Sequence, residues 1–361
     1  MIKRLIFNET PSIIITLDYE ISGDGSGDIR ELIINPTERL LDILNRRKLK
    51  MTVFFELEEF MVFKKYARAL TKLLDYNPVL LIEEQLKKII CTGHEIGLHL
   101  HPQWIGASFD GKRFKLYPKN QCLFDIYQSE NQMFSYFTER VNILKALVKK
   151  HDPSYEIECF RAGGLALRHE KLTLKAISSL GIKADSSVVK GLYRKGKRIN
   201  LDYRDAPNDR GYWSVNDNVC KPEKEGKIIE FPIYSRMKPE YKKLSINRIK
   251  RKFLSPLQHL TSKSQALSNM NLPKTPWGMI KYLVSKSPVK YDFCHMTSQE
   301  MLKYLYDAKK EKGKSNNYPL TMIGHSKEFF NDKHFISFLD VAISDKQVKF
   351  MSMGEAARII F

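Results

Sequence analysis

Along the chain, short runs of β-branched and aromatic residues alternate with longer stretches whose apolar positions recur at helical spacing. "SIIITLDYE", Ser12–Glu20, is the first such run. Its near-continuous aliphatics ending in acids read as a strand buried on both faces of a parallel sheet. "PTERLLDILNRRKL" follows, with Pro36 near a helix start and leucines at helical spacing, and "KMTVFFE" is a second strand of the same kind. A glycine-rich loop, "GDGSGD" (Gly23–Asp28), lies between the first strand and the helix. Strand, loop, helix and strand form a β-α-β crossover, the unit that builds parallel sheets with helices outside.

The rhythm recurs. "VLLIEEQLKKIICTG" predicts a helix closed by Gly93, "HEIGLHLH" a strand stopped by Pro102, Glu130–Lys150 a helix, and "YEIECFRAGG" a strand. A helix through Leu172–Leu180, the segment "GIKADSSV", and strands in "GKIIEFPIY" and "YPLTMIGHSKEF" come next, with a helix at the C-terminus. The expected fold is α/β, one domain over residues 1–361, built as a barrel or a doubly wound sheet. Residues 236–291 break the rhythm, being basic and dotted with prolines; they read as a helical insertion within that domain.

With 43% apolar and 11% aromatic residues the chain has material for a core, which excludes global disorder. No window is long and apolar enough for a membrane span, and the N-terminal apolar run ends in carboxylates rather than a signal sequence. Five cysteines without a C-x-x-C pair suit reduced thiols, so a soluble cytoplasmic protein is expected. The net charge of +19 favours anionic partners, including peripheral contact with anionic surfaces. No zinc finger, RNP-type motif or helix-turn-helix accompanies it, so specific nucleic-acid binding is not expected. Oligomeric state leaves no trace in the sequence.

The chemistry concentrates in "GHEIGLHLHPQW", Gly93–Trp104, which holds three of the nine histidines. On a strand, residues two apart share a face, so His99 and His101 project together while Ile96, Leu98 and Leu100 project the other way. Two convergent neutral imidazoles make half a site for Zn²⁺ or a similar divalent metal. His94 sits on the opposite face and reads as structural. Asp18 and Glu20, also two apart at the end of the first strand, can supply one metal ligand and one general base. Trp104, Tyr212 and Trp213 can stack on sugar rings, although ordinary packing explains each as well.

"TLDYE", "GHEIGLH", "FRAGG" and "MIGHSKEF", in that order, resemble the motifs of the NodB-type polysaccharide deacetylases (carbohydrate esterase family 4), and more closely their WalW-like lipopolysaccharide-biosynthesis branch. The resemblance runs from about Ser12 to Phe330 and is weak across the basic insertion. It implies a distorted (β/α) barrel of the NodB type with a basic helical insertion. It also implies a metal-dependent deacetylase acting on N- or O-acetyl groups of a sugar, with Zn²⁺ as cofactor and an acetylated glycan or sugar as partner. By the resemblance Asp18 is the catalytic base and Glu20, one step beyond the family's usual acid, is a metal ligand. His99 is a second ligand. Where the family has a histidine four residues later this chain has Gln103, so His101 stands in as the third ligand. Arg161 orients the base and keeps it ionised, His325 is the general acid, and Asp185 falls where the family has a further acid near the substrate. The rival readings are a hydrolase of another C–N bond, such as a cyclic amide, on the same fold, and a catalytically silent module that binds acidic glycan or nucleotide-sugar.

Overall fold

Nine strands form the principal sheet of the computed structural model, which describes residues 11–361 except 118, 121, 196–199, 244–274, 276, 278–280, 282, 311–318 and 331. In chain order they are β1 (Ser12–Tyr19), β2 (Thr52–Glu56), β3 (Glu95–Leu100), β4 (Cys159–Ala162), β5 (Ala184–Asp185), β6 (Trp213–Val215), β7 (Ile228–Glu230), β8 (Leu320–His325) and β9 (Lys349–Met351). The spatial order is β6-β7-β5-β4-β3-β2-β1-β8, with β9 paired to the first residues of β1. All neighbours are parallel except β6 and β7. Past β7 the chain runs on to Ile233, which bridges Val189 on one side and Thr321 of β8 on the other. The sheet therefore curls into a distorted barrel whose two edges meet at Ile233.

Alternation along β1 divides its side chains between two layers. Ile13, Ile15, Leu17 and Tyr19 belong to the outer core, beneath helices α1 (Asn35–Arg46) and α2 (Pro78–Cys91). Ile14 belongs to a smaller inner cluster with Phe54, Cys159, Ala184 and Ile229. This second cluster fills the barrel's lower end, where Met353, Ala356 and Ala357 of α3 (Met353–Ile360) plug it. Local signals set the helix ends. Asn77 caps α2 by accepting from the Val79 and Leu80 amides, Pro78 takes the first helical position, and Gly93 leaves the helix in the left-handed region at φ 76°.

The ends of the basic segment are strands rather than helix. Ser235–Pro239 pairs antiparallel with Lys286–Lys290, and a single helical turn, Glu240–Lys243, follows the first of them. Prolines at 239 and 288 disfavour a continuous helix at either end. Residues 244–274, most of the expected insertion, lie outside the described part. All five cysteines are free thiols, and no helix among the described residues is long and apolar enough to cross a membrane.

Candidate active site

The inward-facing residues of β1 change character as the strand climbs: Ile14 is apolar, Thr16 and Asp18 are polar, and Glu20 stands just past the strand's end. On β3 the same face carries Glu95, Gly97 and His99, and His101 follows the strand. Space at Gly97 is needed for Phe54, whose ring carbons would lie 2.9 Å from a Cβ there. The Phe54 ring in turn supports the guanidinium of Arg161, whose Cζ lies 4.1 Å from the ring centroid.

Arg161 is completely buried, and each of its nitrogens has a partner. Nε donates to the Ser186 carbonyl at 2.9 Å, Nη2 to Thr16 Oγ1 and Ser186 Oγ at 2.9 Å each, and Nη1 to Asp18 Oδ1 at 2.5 Å. Burial alone would raise the Asp18 pKa; Arg161, helped by His99 and His325, outweighs it and holds the carboxyl below its ordinary value. The second carboxylate oxygen, Oδ2, faces the cavity side of the site, 3.5 Å from His325 Nε2 and 4.0 Å from His99 Nε2.

His99 Nδ1 lies 2.8 Å from the Arg161 carbonyl. A carbonyl only accepts, so Nδ1 carries the hydrogen and Nε2 is a bare lone pair. Nε2 is buried without a hydrogen-bond partner and stands 3.5 Å from Glu20 Oε2. Lys327 Nζ holds the other Glu20 oxygen at 2.6 Å. Burial pushes the Glu20 pKa up, but Lys327 and then His101 hold it well below the usual range.

His101 Nδ1 is 2.8 Å from Glu56 Oε2 and 3.1 Å from Glu20 Oε2, while its Nε2 accepts from the Gly164 amide at 3.1 Å. The ring lies so close to the chain after β4 that a Cβ at Gly163 would sit 2.5 Å from the Leu100 carbonyl oxygen and 2.7 Å from the ring itself. Gly163 of "FRAGG" thus serves a close approach of the His101 ring to the backbone. His325 pairs in register with Asp18 across β1 and β8, and its Nδ1 stands 2.9 Å from Glu328 Oε2.

The six residues expected at the site, Asp18, Glu20, His99, His101, Arg161 and His325, therefore come together at the C-terminal end of the barrel. Glu56 was not expected there. It ends β2 opposite His99, is 2% exposed, and joins Glu20, His99 and His101 in a group whose donor atoms lie within 4.8 Å of one another. The sequence did carry a signal, because "TVFFE" ends in an acid just as "TLDYE" does. Mixed nitrogen and carboxylate donors, a bare buried imidazole lone pair, and a carboxylate kept ionised by Lys327 suit a divalent cation.

Other expectations resolve as packing. Trp104 is 1% exposed and packs edge-on against Phe63 and Phe114, and Trp213 is buried with its Nε1 donating to the Val219 carbonyl at 2.7 Å. His94 accepts the Met51 amide at Nδ1 and contacts Asn45 through Nε2; burial, then Lys50, lowers its pKa to about 4. Asp185 is fully buried, accepts from Ser187 Oγ at 2.8 Å and pairs in register with Glu230.

No protein-family model matches the chain, and no curated protein matches it in sequence. Solved structures do match. A polysaccharide deacetylase from Mycobacterium smegmatis, so described with the qualifier of a tentative assignment, superposes with a TM-score of 0.50 at 13% identity, over 97% of this chain and 90% of that one. A polysaccharide deacetylase assigned in Pseudomonas aeruginosa PAO1 gives 0.47 at 13% identity over 98% and 91%. Puue allantoinase gives 0.47 at 13% over 98% and 90%. The chain thus shares the distorted-barrel fold of the Mycobacterium smegmatis structure, and its structural neighbours include polysaccharide deacetylases.

Proposed function

We propose that this chain is a metal-dependent deacetylase that hydrolyses an N- or O-acetyl group on a sugar of a surface polysaccharide, such as a lipopolysaccharide, or its precursor. The observation that carries the reading is the convergence, at one end of the barrel, of the buried Asp18–Arg161 pair with the bare Nε2 of His99 and with His325. A divalent cation, with Zn²⁺ the first choice, would be held by Glu20 and His99 with a third donor from the adjoining His101–Glu56 pair. Bound there, it supplies Lewis acidity and makes water nucleophilic near neutral pH.

The protein's own groups divide the proton work. Arg161 occupies one oxygen of Asp18 and keeps the carboxylate ionised, which leaves Oδ2 to take a proton from the attacking water. His325 Nε2 lies beside that oxygen at 3.5 Å and would protonate the departing amine or alkoxide. The acid and base are then adjacent, so the proton gained by one can return through the other. The free thiols support a cytoplasmic setting, and the net charge of +19 favours acidic glycans and peripheral contact with anionic surfaces.

Metal analysis of the purified protein, coupled to acetate release from a panel of acetylated sugars, tests the reading. Stoichiometric zinc with acetate release supports it. Ring opening of a cyclic amide without acetate release would assign a different C–N hydrolase, and tight anion binding without any divalent metal would leave a silent module.

A further inference from the structure

We infer that Glu56, rather than His101, is the third protein ligand of the cation site, so that the metal is held by one imidazole and two carboxylates. The inference rests on the metal-dependent reading above and refines it. Its basis is the hydrogen-bond geometry of His101. The Gly164 amide can only donate, and it points at His101 Nε2 from 3.1 Å, so that nitrogen supplies its lone pair to the backbone. Nδ1 then carries the ring hydrogen and directs it at the two carboxylates, 2.8 Å from Glu56 Oε2 and 3.1 Å from Glu20 Oε2. Both nitrogens of the ring are committed in this arrangement, Nε2 to the Gly164 amide and Nδ1 to the carboxylates, and neither is free for a cation.

The arrangement is held rigidly. Gly163 lets the His101 ring pack directly on the backbone, where any side chain would collide with it. The ring cannot move toward the cation site without losing the Gly164 bond. Glu56 is held just as firmly: it ends β2 in register with His99, and its Oε1 accepts the Glu58 amide at 3.2 Å, which fixes the carboxylate plane. One of its carboxylate oxygens lies within 4.8 Å of donor atoms of Glu20 and His99. By contrast, His99 Nε2 is buried, lacks any partner and aims at Glu20 Oε2. His101 is thus a positioning residue. Its single N–H draws Glu20 and Glu56 together and sets the spacing between them, the outer-shell role that ligating carboxylates commonly need.

Zinc K-edge X-ray absorption on the full-length wild-type protein, stripped with chelator and reloaded with one equivalent of Zn²⁺, counts imidazole ligands directly. One imidazole per zinc is expected; two would overturn the inference. Calorimetric zinc titrations of two variants give an independent reading. Glu56→Gln should weaken binding by more than about 100-fold, beyond what outer-shell changes usually cost. His101→Asn keeps an N–H near the position of Nδ1 without an imidazole lone pair, and it should bind within about 10-fold of wild type. The reverse ranking would overturn the inference, and circular dichroism of the metal-free variants separates either result from misfolding. A wild-type protein that binds no zinc at all would overturn the metal-dependent reading itself, and this inference with it.

Discussion

Arg161 Nη1 stands 2.5 Å from Asp18 Oδ1, an ion pair in which the aspartate is 3% and the arginine 0% exposed. Removing one partner of a buried pair strands the other charge, at a cost of about 3–5 kcal/mol. Arg161→Met should therefore lose stability on that scale in chemical denaturation of the metal-free protein. The double variant Arg161→Met/Asp18→Asn should lose less than the single one. Equal losses in the two would show that the pair is not what holds this part of the barrel.

Asp18→Asn preserves shape and removes basicity. Zinc content should stay near wild type while acetate release falls by about 10²–10⁴-fold, the usual contribution of a general base. If the variant loses its zinc instead, Asp18 and Glu20 exchange roles.

At Gly163 the prediction is steric. A methyl group would lie 2.7 Å from the His101 ring and 2.5 Å from the Leu100 carbonyl oxygen. Gly163→Ala should cost about 1–3 kcal/mol and shift the His101 imidazole resonances, as forced overpacking does. Unchanged melting and unchanged resonances would mean that the ring is free to move.

The pH prediction concerns Glu230, whose carboxyl is pushed well above the usual range by burial first and then by Asp185. Such a group keeps its proton on folding, while the unfolded chain releases it near pH ~4.3. Its stabilising contribution is complete below that value and is lost as pH rises toward the folded one. Glu230→Gln stays uncharged throughout. Relative to wild type it should gain stability as pH rises above about 5, measured as the difference between paired denaturation curves. A difference that is flat with pH would place the titration elsewhere.

The period-2 alternation in "SIIITLDYE" and "HEIGLHLH" was enough to put Asp18 with Glu20, and His99 with His101, on the inner face, because strand geometry leaves little choice. What periodicity could not supply was registry between strands. Glu56 reaches the site only because β2 pairs Glu56 with His99, and Lys327 reaches Glu20 from far along the chain. The strands at Ser235–Pro239 and Lys286–Lys290 were misread for a related reason. Their lysines and arginines obscure the alternation, and only pairing between distant segments makes them a ribbon. His101 carries the same lesson, since the sequence gives the ring but its tautomer depends on an amide in another strand's loop.

Ile233 and Tyr234 join the two edges of the barrel, the Ile233 amide donating to the Val188 carbonyl and the Tyr234 amide to the Thr321 carbonyl. β1, by contrast, is bonded along both sides. A hoop fastened by a short clasp yields at the clasp, and local opening begins where backbone bonds are few. Widening of the mouth to admit a bulky polymer therefore falls between β7 and β8, while the staves bearing Glu20, Glu56 and His99 keep their spacing.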